Sequence, residues 1–201
     1  MRDQDVFIGA DKAFVAVARQ ISGEQWELPV LPVQPPGSDP RSIWGTVNAV
    51  TYEDAWVQPM LSGQTVTAFE ADPWAGDLLL LHEDPHVAVS EMADRACAAA
   101  AGFADDDLGR TVHCSFGDFP AREYLWQTTS FHALVAWDLA QLLGFANPLS
   151  DELVEALLAQ LDPVADEWRE WGVFPPRIPV PDDASALDRL LGATGRPLVG
   201  R

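Results

Sequence analysis

Helical periodicity, interrupted at fixed points by proline, restricts this chain more than any other feature. Prolines at 29, 32, 35 and 36, and again at 175, 176, 179 and 181, exclude helix from two stretches, because proline lacks the N–H that a helix interior needs. Elsewhere the apolar residues recur every three or four positions. Phe7, Ala10, Phe14, Val17, Ala18 and Ile21 form one stripe, which predicts a helix over 6–22. Asp39-Pro40 reads as an N-cap followed by proline in the first helical position, so a second helix is expected over 39–61, with Pro59 near its end. Asp84-Pro85 repeats that signal ahead of an alanine-rich run and predicts a helix over 85–103. The run from Ala121 to Leu143, closed by Gly144, predicts a helix roughly 34 Å long. Ser150 caps the stripe Leu153, Leu157, Leu161, Val164 and Trp168, giving a helix over 150–171, and Gly192 closes a short one over 185–191. Residues 62–77 read as an irregular link and 111–116 as a short extended arm. Long helices with so little strand signal predict an all-α bundle, a single domain over 1–201.

Composition narrows the partners. With 31 acidic against 12 basic residues and a net charge of -19, the surface repels phosphate, which disfavours nucleic acid and anionic membranes. The polar start and the absence of a long uncharged apolar run lead us to expect a cytoplasmic protein without a membrane span. Cys97 and Cys114 lack CxxC spacing and suggest neither a disulfide framework nor a metal or redox role. Eight tryptophans are many for 201 residues; most suit a core, and the excess hints at an aromatic pocket.

Several segments together carry a resemblance. Gln25-Trp26-Glu27-Leu28-Pro29 follows the first helix, Val47-Asn48 with Glu53 and Trp56 lies on the second, and Leu134-Val135-Ala136-Trp137-Asp138-Leu139-Ala140 lies on the long helix. With Phe174-Pro175-Pro176 and Asp188-Arg189-Leu190-Leu191-Gly192 near the end, the chain resembles the DinB-like superfamily of mycothiol-dependent maleylpyruvate isomerases over nearly its whole length. That resemblance implies a DinB-like four-helix bundle with a short arm and a small C-terminal helix. It also implies a divalent metal held by one histidine on the second helix and an acid and a histidine four residues apart on the long helix. At the matching positions this chain has Ala49, Phe131 and Val135, none of which can ligate a metal. We therefore expect no metal and no cofactor there. His132, joined with Glu53 or Asp138, is the alternative ligand set, and His82 and His86 are better explained by a solvated helix start.

Replacement of those ligands would leave an apolar cavity. Ala49, Trp56 and Met60 on the second helix and Tyr124, Gln127, Thr128, Phe131 and Val135 on the long helix are its expected lining. Glu53 is the candidate catalytic group, because a carboxylate facing an apolar interior resists ionisation and can act as acid or base. The expected function is a metal-independent isomerase, cyclase or related tailoring enzyme acting on a small apolar or aromatic molecule, as in secondary metabolism, in a monomer or homodimer. The alternatives are a non-catalytic binding or dimerising relative, and a metal-dependent mycothiol transferase whose ligands lie elsewhere.

Overall fold

The computed structural model describes residues 1–30 and 41–198, which divide into two compact units, one of Met1–Leu28 with Ser42–Pro148 and the other of the remainder. The first unit is built on four helices: α1 (Asp3–Ala18), α2 (Ile43–Leu61), α3 (Pro85–Ala101) and α4 (Ala121–Leu143). Helix α1 packs on α4 and α3, and α3 packs on α2. This closes a ring in which α2 and α4 are the neighbours that approach least. Each helix turns its apolar stripe inward: Phe7 and Phe14 from α1, Val47, Val50 and Val57 from α2, and Leu125 and Leu139 from α4 are all fully buried.

Sequence signals set the helix ends. Asp84 caps α3, its side chain accepting from the His86 N–H, with Pro85 in the first turn. Gly144 ends α4 with φ +70. The proposed start of α2 at Asp39-Pro40 lies outside the described residues. Arg41 and Ser42 are extended, and the helix begins at Ile43, where the Ser42 hydroxyl accepts from the Gly45 N–H. The arm expected over 111–116 is the first strand of a hairpin, β1 (Thr111–Cys114) paired antiparallel with β2 (Gly117–Pro120), Cys114 facing Gly117.

The link over 62–77 is fastened to α2 by residues one turn apart. Trp44 donates to Asp77 (2.6 Å), Asn48 accepts from the Leu78 N–H (2.8 Å) and Tyr52 donates to Asp72 (2.7 Å). Trp56, the next in that series, packs edge-on against Phe69 and Trp74 at 5.4 and 5.0 Å. No helix among the described residues is long and apolar enough to cross a membrane.

In the second unit the helix expected over 150–171 is two, α5 (Asp151–Leu161) and α6 (Ala165–Glu170). Pro163 supplies the physical reason, since it cannot donate within a continuing helix. Helix α7 (Ala186–Ala193) packs on α5. The segment after α6 is held close: the Ile178 N–H donates to the Gly192 carbonyl (3.0 Å), and Arg169 donates to the carbonyls of Pro175 (2.8 Å) and Ala193 (2.7 Å). Gly195 has φ +72, and a Cβ there would stand 2.9 Å from the carbonyl oxygens of Pro175 and Pro176. Both the left-handed backbone and the contact oppose a side chain. Gly195→Ala is therefore expected to cost roughly 1–3 kcal/mol, read as an earlier urea midpoint with unchanged slope.

Candidate functional site

The seam between α2 and α4 carries the residues singled out from the sequence. Ala49, Glu53, Phe131, Val135, Gln127 and Asp138 are half-buried, whereas Trp56, Met60, Tyr124 and Thr128 are buried. The fold brings Trp56, Met60 and Tyr124 into one apolar cluster with Phe7, Val57 and Leu125. Trp56 meets three other rings there, those of Tyr52, Phe69 and Trp74, so an aromatic wall borders the seam. Gln127 donates to Glu123 (3.4 Å). The Thr128 hydroxyl lies near the Tyr124 phenol but donates to the Tyr124 carbonyl oxygen (3.0 Å), and the buried phenol is left without a bond of its own.

Glu53 is held by α2 at the level where the hairpin and the first turns of α4 come in. Its charge is felt at Asp54, Cys114 and Tyr124. Burial pushes its carboxyl above the ordinary range, because a charge removed from water loses solvation that nothing here replaces. No side chain among the described residues forms a hydrogen bond or ion pair with it. Tyr124 is raised well above an ordinary phenol, first by burial and then by Glu53. A carboxyl biased towards its neutral form can give and take a proton, and an unbonded phenol within its electrostatic reach can hold an oxygen atom.

A second polar group lies deeper. Asp11 of α1, Asp54 of α2 and His132 of α4 converge in the bundle core, each fully buried. The His132 Nδ1 stands 3.7 Å from Asp11 and 3.5 Å from Asp54. Burial raises the Asp11 carboxyl to about 6 and lowers the His132 imidazole to about 3. Asp54 is raised well above the carboxylate range by burial and then by the charge of Asp11. The partners weighed for His132 from the sequence, Glu53 and Asp138, do not join it in a three-ligand set; Asp11 and Asp54 do. A signal for them was present. Val47, Val50, Asp54, Val57 and Leu61 share one buried stripe, as do Phe7, Asp11, Phe14 and Ala18, and an aspartate inside such a stripe cannot reach water. Cys97, which the sequence tied to no role, donates to Asp11 Oδ2 (3.0 Å).

The other expected groups are placed simply. His82 pairs with Glu91 (3.0 Å), and His86 with Asp84 (2.7 Å) and the Ile21 carbonyl (3.0 Å), which ties the start of α3 to the end of α1. Ala49, Phe131 and Val135 offer no donor atom. They do not fit the metal that the resemblance implies.

No family model matches the chain, and no curated protein is significantly similar to it. Among solved structures it is similar to the crystal structure of a mycothiol-dependent maleylpyruvate isomerase in a histidine-to-alanine mutant form. The TM-score is 0.61 at 14% identity, covering 97% of this chain and 88% of that one. At that identity the likeness speaks for the fold: the chain has the all-α, DinB-like helical-bundle fold that this isomerase also has.

Proposed function

We propose that this protein is a small-molecule enzyme of the isomerase type. It acts on an apolar or aromatic organic molecule at the α2–α4 seam, with Glu53 as the acid–base group and no metal at the reacting atoms. The observation that carries the reading is Glu53 itself, a half-buried carboxylate without a partner among the described residues, whose charge is felt at the buried phenol of Tyr124. In such a site Glu53 removes a proton from a carbon next to a carbonyl or double bond and returns it to a second carbon. No atom is gained or lost, and Tyr124 holds the substrate oxygen as its charge grows. The structural neighbour is an isomerase, which supports that class, and the donor-free side chains at 49, 131 and 135 support metal independence.

The test is a panel of planar apolar carbonyl and ene compounds. Binding should quench tryptophan emission, since Trp56 is among the residues proposed to line the seam and Trp74 packs on its ring, and product analysis should find an isomer of a bound compound. Binding without conversion of any compound would replace this reading with that of a binding protein, and no binding at all would remove the site.

A further inference from the structure

The core trio of Asp11, Asp54 and His132 plays no part in the chemistry proposed for the seam; its two carboxyls interact with each other, but neither makes a good hydrogen bond to the imidazole. The separations of 3.5 and 3.7 Å from His132 Nδ1 to the two carboxylates are too long for good hydrogen bonds. Two donor atoms held tetrahedrally at about 2.1 Å from one ion stand roughly 3.4 Å apart, close to what is found here. One donor atom from each residue lies within 4.8 Å of the other two. Asp11 Oδ1, both Asp54 oxygens and both His132 nitrogens are buried without a hydrogen-bond partner. Polar atoms sealed from water in this number call for an occupant that satisfies them together.

The surroundings are already arranged for one. The Cys97 thiol holds Asp11 Oδ2 (3.0 Å), so the other oxygen is the one turned to the trio, as an outer partner does for a metal-binding carboxylate. The rings of Phe7, Phe14 and Phe131 stand 5.7, 6.2 and 6.2 Å from the imidazole and fix its plane. Two carboxylates and a neutral imidazole carry a charge of minus two, which a divalent ion cancels within a core that water does not reach. The imidazole favours a first-row transition ion over magnesium or calcium.

We propose that Asp11, Asp54 and His132 bind one divalent transition-metal ion, of the zinc or manganese type, that ties α1, α2 and α4 together. The site is separate from positions 49, 131 and 135. All three ligands are fully buried, so the ion braces the bundle and does not touch a substrate.

The test uses the full chain. Protein stripped with chelator and dialysed is titrated with Zn2+, Mn2+ or Co2+. One ion per chain is expected, with Tm raised by on the order of 5–10 °C at saturating metal and a visible Co2+ absorption band showing nitrogen and oxygen ligation. His132→Gln and Asp54→Asn should reduce the stoichiometry to near zero. Should either fail to fold, a chain carrying His82→Asn, His86→Asn and His113→Asn keeps His132 as its one imidazole of four, and the Co2+ band with nitrogen ligation must persist there. Loss of that band, stoichiometric binding undiminished in His132→Gln, or no binding by the stripped wild-type chain would each overturn the proposal.

Discussion

Glu53→Gln will lower turnover of a converted substrate by about 10²- to 10⁴-fold, the usual contribution of one positioned acid–base group, while changing its dissociation constant little. Glutamine matches the shape of glutamate but cannot exchange a proton, so a fall in kcat with an unchanged KM separates chemistry from binding. The same substitution should leave Tm equal or higher. Glu53 has no partner for its charge among the described residues, and burial opposes its ionisation; a neutral amide of the same size relieves that cost. Activity lost from a protein at least as stable as the wild type cannot be assigned to unfolding. Equal turnover by the two proteins would dismiss Glu53 as the reacting group, and with it the proposed mechanism.

The bundle was legible because its signals are local. The stripes of α1, α3 and α4, the Asp84-Pro85 cap and the Gly144 stop each lie within a few residues, and helices grow from such neighbours. The break between α5 and α6 was equally local, and Pro163 was its mark; the apolar stripe from Leu153 to Trp168 masked it by keeping helical spacing across the turn. The second strand of the hairpin was harder, since the Gly117–Pro120 run is short, carries glycine, aspartate and proline, which strands disfavour, and pairs only because Thr111–Cys114 lies beside it. The core trio was legible one residue at a time and not as a set. His132 could be seen on the long helix, but which acids face it depends on how α1 and α2 turn about their axes in the assembled bundle, a property of packing that no single segment encodes. Glu53 differs in that its place on α2 was readable, while its want of a partner is visible only once the hairpin and α4 are beside it.

In chelator-stripped protein the contribution of the core trio to stability will fall, not rise, as pH goes from about 4 to about 6. Surface acids such as Asp5 and Asp84, held below their ordinary values, contribute in the opposite sense. The unfolded chain in that window keeps one proton on the trio, that of His132, since ordinary carboxyls ionise near 4 and imidazole near 6.5. The folded chain keeps two. Burial holds the Asp11 proton until about 6, and Asp54, where the Asp11 charge adds to burial, holds its own while Asp11 ionises. His132, lowered to about 3, has none. Folding thus takes up nearly one net proton in the middle of the window, in the direction that favours low pH, a slope approaching roughly 1.4 kcal/mol per unit. The sum is about 2 kcal/mol from pH 4 to 6, because unfolded carboxyls are half protonated at the lower end and Asp11 is half ionised at the upper. The Cys97 thiol, raised by burial, stays protonated throughout, and the charges of Asp94 and Lys12 act on Asp11 in opposite senses. Glu53, the other acid acting on Asp54, is removed from the comparison by using Glu53→Gln as the parent. Two variants of that parent then move the slope in opposite directions. Asp54→Asn leaves the folded and unfolded trio with one proton each and should flatten the curve, whereas His132→Gln leaves two against none and should double it. Urea midpoints taken at half-unit steps resolve the three cases, and variants whose slopes do not fall on opposite sides of the parent's would show that the folded trio is charged rather than neutral.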